Sequence, residues 1–193
     1  MSNQLYPIFL KVHQLDVLIV GAGYTGYEKV SFLLKNSPDA QVTIIAEEIS
    51  DDVKGVLEKY SSKHVKIIKK TFEPSDVLNR NIVIGATNNH EVNLEILKAA
   101  KAQGILVNIA DTPELCDFYL GSIVTRGNLK VAISTNGKSP TFAKRFRQLL
   151  EETLPIETDD LLSNLRIIRD RLKGDFEHKV KELNKITATL IEK

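Results

Sequence analysis

Short apolar runs alternate with amphipathic stretches through the first two-thirds of the chain. Residues 17–20 (Val-Leu-Ile-Val) read as a buried strand. A helix follows over residues 25–34, with Val30, Leu33 and Leu34 on one face. Residues 42–45 (Val-Thr-Ile-Ile) form a second buried strand. Ser50 is placed to cap a helix over residues 51–60, whose first turn is acidic. Residues 65–68 and 82–86 give a third and a fourth strand. The segment 89–103 carries Val92, Ile96, Leu97 and Ala100 at helical spacing, Gly104 suits its end, and residues 105–109 are a fifth strand. Continuous apolar strands separated by helices predict an α/β fold, a Rossmann-like parallel sheet covered on both faces.

The pattern then changes. Two β-like runs, residues 118–125 and 129–134, are separated only by Arg126-Gly127-Asn128, a spacing that fits a hairpin and not a crossover. Ser139-Pro140 reads as the cap and first residue of a helix running to about Leu154, which Pro155 ends. From Thr158 onward the chain reads as helix, with Leu161, Leu165, Ile168 and Leu172 as one stripe and Phe176, Val180, Leu183, Ile186 or Thr187, and Leu190 as another, divided at Gly174. The expected organisation is a dinucleotide domain over residues 1–112, a hairpin segment over 113–154 and a helical tail over 155–193.

Composition narrows the class. The 193 residues are 42% hydrophobic with a formal net charge of +1, so bulk charge gives no reason to expect a nucleic-acid partner. The single cysteine, Cys116, excludes an intrachain disulfide. No basic-then-apolar leader and no membrane-length apolar run is visible, so a soluble cytoplasmic protein without a membrane partner is expected. His13, His64, His90 and His178 are scattered, and no metal-site spacing occurs.

The chemistry concentrates at strand ends. Gly21-Ala-Gly23-Tyr-Thr-Gly26 follows the first strand and opens the first helix. Gly21 permits the tight turn, Gly23 lets backbone approach a pyrophosphate, and Gly26 allows close packing of helix on strand. The loop Gly21, Ala22, Gly23, Tyr24, Thr25 and Gly26 is therefore expected to hold the phosphates of a dinucleotide at the helix N-terminus. Glu47, just past the second strand, is expected on the adenosine ribose, which favours NAD over NADP; Glu48 beside it reads equally as a solvated loop start. Gly85, Ala86 and Thr87 end the fourth strand, where small residues serve either cofactor approach or helix–sheet packing. Asp111 ends the fifth strand, as a proton-moving carboxylate or as an ordinary turn residue before Thr-Pro. Residues 138–150 carry Lys138, Lys144, Arg145 and Arg147 and no acid, suiting either a polycarboxylate ligand or solvent.

Four segments together resemble the precorrin-2 dehydrogenase / sirohydrochlorin ferrochelatase family, the N-terminal module of siroheme synthase. They are Tyr6-Pro-Ile-Phe-Leu-Lys11, which looks like that family's first strand; Leu18-Ile-Val-Gly-Ala-Gly23 with Glu28-Lys29; Ala86-Thr-Asn-Asn89 with Val92-Asn93, Val107-Asn-Ile-Ala-Asp111 and Cys116-Asp-Phe118; and Val131-Ala-Ile-Ser-Thr-Asn-Gly-Lys-Ser-Pro140 with Ala143 and Arg147. The resemblance implies NAD-dependent oxidation of precorrin-2 to sirohydrochlorin, in some members followed by insertion of Fe2+. It implies that Asp111 is the key carboxylate and that the chain forms a homodimer, for which the hairpin segment is expected to serve. Asn108 near the end of the fifth strand, and Ser134, Thr135, Lys138, Ser139, Arg145 and Arg147 in the later segment, are expected to face the tetrapyrrole. Gly26 stands where the family often has alanine, Asn88-Asn89 where an acidic pair is frequent, and Gly121-Ser122 where Pro-Ala is common. Two other readings of the residues are an NAD-binding regulatory module without catalysis and a dehydrogenase of another substrate.

Overall fold

The computed structural model describes residues 3–60 and 63–188, in two compact units, Met1–Leu120 and Gly121–Lys193. The first unit runs β1 (Asp16–Val20), α1 (Tyr24–Asn36), β2 (Gln41–Ala46), α2 (Asp51–Lys59), β3 (Val65–Lys69), β4 (Ile82–Gly85), α3 (His90–Ala102) and β5 (Leu106–Ile109). All neighbouring strands pair in parallel in the order β3-β2-β1-β4-β5, the Rossmann-like sheet the periodicity predicts.

Alternation along β1 shows why its run is apolar throughout. Val17 and Ile19 pack with Val30 and Leu34 of α1 and Val53 of α2. Leu18 and Val20 face the opposite way, among Val83, Ile96, Ala100 and Ile109. Successive side chains of a strand point to opposite faces, so a strand covered on both sides favours apolar residues at every position. Each such Leu or Ile removed from water contributes about 1.5–3 kcal/mol. The helix starts follow local chemistry. Ser50 Oγ accepts the Val53 N–H at 3.4 Å, and Asn89 Oδ1 accepts the N–H groups of Glu91 and Val92 at 2.9 and 3.2 Å.

Two expectations change in this unit. Residues 6–11 form no strand: they have no regular secondary structure and stay exposed. Pro7 lacks an N–H, and among the described residues no strand of either sheet lies alongside to pair with them. Residues 118–121, expected to begin a hairpin strand, do not. The chain around them instead closes the open edge of β5. The Asp117 N–H donates to Val107 O at 2.8 Å, and Asp117 Oδ2 accepts the Val107 N–H at 3.0 Å. One residue thus satisfies both backbone groups that an edge strand leaves free there.

The second unit contains an antiparallel hairpin, β6 (Ser122–Arg126) and β7 (Leu129–Ile133), then α4 (Pro140–Thr153), α5 (Thr158–Arg171) and α6 (Phe176–Ile186). Val124, Ile133 and Ala143 form its small core, with Leu150 and Leu154 packed against them. Asp159 of α5 ties down the hairpin turn, accepting the Asn128 N–H at 2.7 Å and Asn128 Nδ2 at 2.8 Å. Neither α5 nor α6 buries a residue. Leu190 lies outside the described residues. Among the described residues no helix is long and apolar enough to cross a membrane.

Candidate active site

The carboxyl ends of β1, β2 and β4 are fastened together by backbone bonds around the glycine loop. The Gly21 N–H donates to Ile45 O at 2.8 Å, the Ala86 N–H to Val20 O at 2.8 Å, and the Ser50 N–H to Ala22 O at 3.1 Å. Gly21 has φ +103°, and a side chain there would run into the Ala86 carbonyl. Only glycine combines that backbone with that approach. Gly26 meets a different neighbour from the one expected. A Cβ on it would strike the Gly21 carbonyl, so it packs against the turn itself and not against the strand. Gly23 caps α1 with nothing of the protein within 4 Å of where its Cβ would lie.

This cradle fits a pyrophosphate. No side chain caps α1 and no acid stands in its first turn, so its leading amides and positive end are left for an anion. Tyr24 is exposed and Thr25 half-buried beside them. Glu47 and Glu48 are both exposed just past β2, on the loop that Ser50 ties to Ala22. Carboxylates there suit ribose hydroxyls and repel a 2′-phosphate.

Gly85 is explained by packing. A Cβ on it would lie 2.7 Å from Ile109 Cδ1 and 3.4 Å from Asn93 Oδ1. Ala86 is buried, and its carbonyl faces Gly21. Thr87 is the half-buried member of the three, and Asn93 of α3 holds it: Thr87 Oγ1 donates to Asn93 Oδ1 at 2.7 Å, and Asn93 Nδ2 donates to Thr87 O at 3.0 Å. The sequence names Asn93 only within the resemblance and gives it no role in the site. Its signal was a polar residue on the buried stripe of α3 with Ile96 and Ala100.

Asp111 is exposed beyond the end of β5, in the left-handed region at φ +60°. Among the described residues no hydrogen bond or ion pair engages its carboxylate. Asn108 is different. It is 6% exposed, and its Nδ2 donates inward, to Phe118 O at 2.8 Å and to Cys116 Sγ at 3.3 Å, so this nitrogen is not free for the substrate-facing role expected of the residue.

The remaining candidates belong to the second unit. Ser134 Oγ accepts the Asn136 N–H, Thr135 Oγ1 accepts the Ser139 N–H, and Ser139 Oγ caps α4 through the Phe142 N–H. These bonds shape the loop and leave each hydroxyl hydrogen available. Lys138, Lys144 and Arg145 are exposed. Arg147 is not a free cation: its guanidinium bonds both oxygens of Glu151, at 2.5 and 2.7 Å. The acid-free run ends one residue before that partner, four positions on along the same helix. Among the described residues no group of three or more His, Cys, Asp or Glu is placed to hold a metal ion.

An uncapped glycine turn at the switch of a parallel sheet defines a dinucleotide-binding α/β protein. A family model described as putative NAD(P)-binding matches residues 8–122, more than half of the chain, and one described as sirohaem biosynthesis protein central matches residues 126–153. The chain belongs to the putative NAD(P)-binding family and carries that sirohaem-biosynthesis segment after it. It is 38% identical over 170 residues to siroheme synthase from Vesicomyosocius okutanii, covering 88% of this chain and 35% of that protein. To siroheme synthase from Nitrosomonas europaea it is 34% identical over 172 residues, 89% of this chain and 35% of that protein. The chain thus spans 35% of the length of each of these relatives. Among solved structures, SirC, a precorrin-2 dehydrogenase, matches with a TM-score of 0.75 at 25% identity over 94% of this chain and 89% of that chain.

Proposed function

We propose that this chain is an NAD-dependent dehydrogenase that converts precorrin-2 to sirohydrochlorin in siroheme biosynthesis. The observation that carries this reading lies within one unit: an uncapped, acid-free glycine turn and, past the carboxyl end of another strand of the same sheet, an exposed carboxylate with no internal partner. The likeness to SirC and to siroheme synthases supports the choice of substrate.

The loop from Gly21 to Gly26 would hold the pyrophosphate of NAD, Glu47 the adenosine ribose, and Thr87 would border the cofactor. When bound, NAD accepts the hydride. The product has lost two hydrogens, so a proton must leave as well, and Asp111 accepts it. The same carboxylate serves insertion of Fe2+ into sirohydrochlorin, where two pyrrole protons leave as the metal enters; Fe2+ is then a substrate. Lys138, Lys144 and Arg145 offer ammonium and guanidinium groups to a substrate rich in carboxylates.

A homodimer forms part of the proposal. The hairpin is a sheet of only two strands, and Phe142, Phe146 and Leu149 leave an apolar stripe of α4 exposed. Light scattering that shows a monomer at working concentration contradicts it.

The central test is NADH production from precorrin-2 by the wild type and by Asp111→Asn, since asparagine tolerates the left-handed backbone that Asp111 adopts. The variant is expected to fold and to bind NAD while turnover falls by about 100-fold or more. NADH production at the wild-type rate removes Asp111 from the mechanism. Tight NAD binding by a wild type that makes no NADH from precorrin-2 overturns this substrate assignment and leaves a sensor module or a dehydrogenase of another substrate.

A further inference from the structure

The backbone that presents Asp111 is a tight turn. The Thr112 N–H closes it by donating to Ile109 O at 3.3 Å, with Ala110 and Asp111 between them and Asp111 at φ +60°. A non-glycine residue stays in that region when its surroundings hold it there. Here the surroundings come from beyond the turn. Cys116 Sγ stands 3.1 Å from Ile109 O and 3.3 Å from Thr112 O, the carbonyls of the first and last residues of the turn. One thiol hydrogen is shared between both ends. The sulfur is itself fixed, because Asn108 Nδ2 donates to it at 3.3 Å while also holding Phe118 O at 2.8 Å. Asn108 is buried on β5, so this anchor rests on the sheet.

The thiol must keep its hydrogen to do this. Burial is the largest influence on Cys116 and pushes its pKa up, outweighing the Lys29 charge, so the group stays a thiol at neutral pH.

We propose that Cys116, held in place by Asn108, is a positioning residue that fixes the turn carrying Asp111 and thereby the direction of its carboxylate. The inference rests on Asp111 being the proton acceptor proposed above; the geometry of the turn is independent of that reading.

The test compares Cys116→Val, which keeps the volume and removes the donor, with Cys116→Ser, which keeps a donor. Three quantities are read on the intact chain: exchange of the Thr112 amide by NMR, the dissociation constant of NAD, and kcat and KM for precorrin-2. In Cys116→Val the Thr112 amide is expected to exchange about tenfold faster and kcat to fall about tenfold, with NAD affinity unchanged. Cys116→Ser restores both toward the wild type. Should the valine variant fail to fold, Cys116→Ala carries the same comparison. Wild-type exchange and wild-type kcat without the donor overturn the proposal. So does a parallel loss of NAD affinity and turnover, which marks a general structural role. A wild type that makes no NADH from precorrin-2 defeats the functional reading alone, and Thr112 exchange then still decides whether Cys116 sets the turn.

Discussion

Thr87 and Asn93 hold each other through two hydrogen bonds, the hydroxyl donating to the amide oxygen at 2.7 Å and the amide nitrogen returning to the Thr87 carbonyl at 3.0 Å. Asn93 is 8% exposed and Thr87 half-buried, so both bonds are partly shielded from water. The pair clamps the exit of β4 to α3, and the backbone from Ala86 to Thr87 is the stretch against which Gly21 packs. Replacing Asn93 by alanine leaves the Thr87 groups without these partners, at a cost of about 1–3 kcal/mol. The expected result is a lower melting temperature and NAD binding about fivefold weaker, a loss of about 1 kcal/mol. NAD affinity unchanged in a folded Asn93→Ala would show that the clamp serves stability alone.

Glu47 follows β2 on the loop tied to the glycine turn by the Ser50 N–H, whereas Glu48 is one residue further on. Glu47→Ser removes the charge that opposes a 2′-phosphate and keeps a hydroxyl. The ratio of kcat/KM for NADP to that for NAD is expected to rise about tenfold, a shift of 1.4 kcal/mol. The same rise in Glu48→Ser, with no change in Glu47→Ser, would reassign the ribose contact.

Arg145 and Arg147 are expected to part company. Arg145 is exposed and bonded to neutral Gln148 at 3.1 Å, while Arg147 is paired with Glu151. Arg145→Ala should raise the substrate KM several-fold and leave the melting temperature alone. Arg147→Ala should leave KM nearly unchanged and cost about 0.3–0.5 kcal/mol of stability, the usual worth of such a helical pair. Steady-state kinetics and thermal melts of both variants read the difference.

Asp117 makes stability depend on acid. Burial pushes its carboxyl up, but the bonds from the Lys101 ammonium and the Val107 N–H outweigh that and hold it below the ordinary 3.8. Folding therefore favours the ionised form. The stabilisation is fully present above the ordinary value and is lost as pH falls through the lowered one. Urea midpoints should drop from about pH 5 toward pH 2, and Asp117→Asn should flatten that part of the curve. An equally steep drop in the variant would assign the acid sensitivity to other carboxylates.

Local pattern determined much of this protein. A strand apolar at nearly every position is one buried on both faces, so the parallel sheet was readable from residues 17–20 and 42–45, where Thr43 is the one polar member. The glycine loop was readable because its constraints act between residues close in sequence. Gly26 against Gly21 is a five-residue contact, although its partner had been expected in the strand. Ser50, Ser139 and the Gly127-Asn128 turn likewise act over three or four positions.

Contacts that cross the fold had no such signature. Residues 6–11 are apolar enough for a strand, but pairing needs a neighbour that the sequence cannot show, and none of the described strands supplies it. Asn108 looked like a residue facing substrate because it sits near a strand end; its amide turned inward once Cys116 and Phe118 folded back beside β5. Asn93 was hidden within a helical stripe until β4 brought Thr87 against it. The sequence by itself determined the sheet, the dinucleotide turn and the presence of a carboxylate after β5. Only the tertiary structure decided what holds that carboxylate's turn, because a hydrogen-bond partner is set by where the chain returns in space and not by its distance along the sequence.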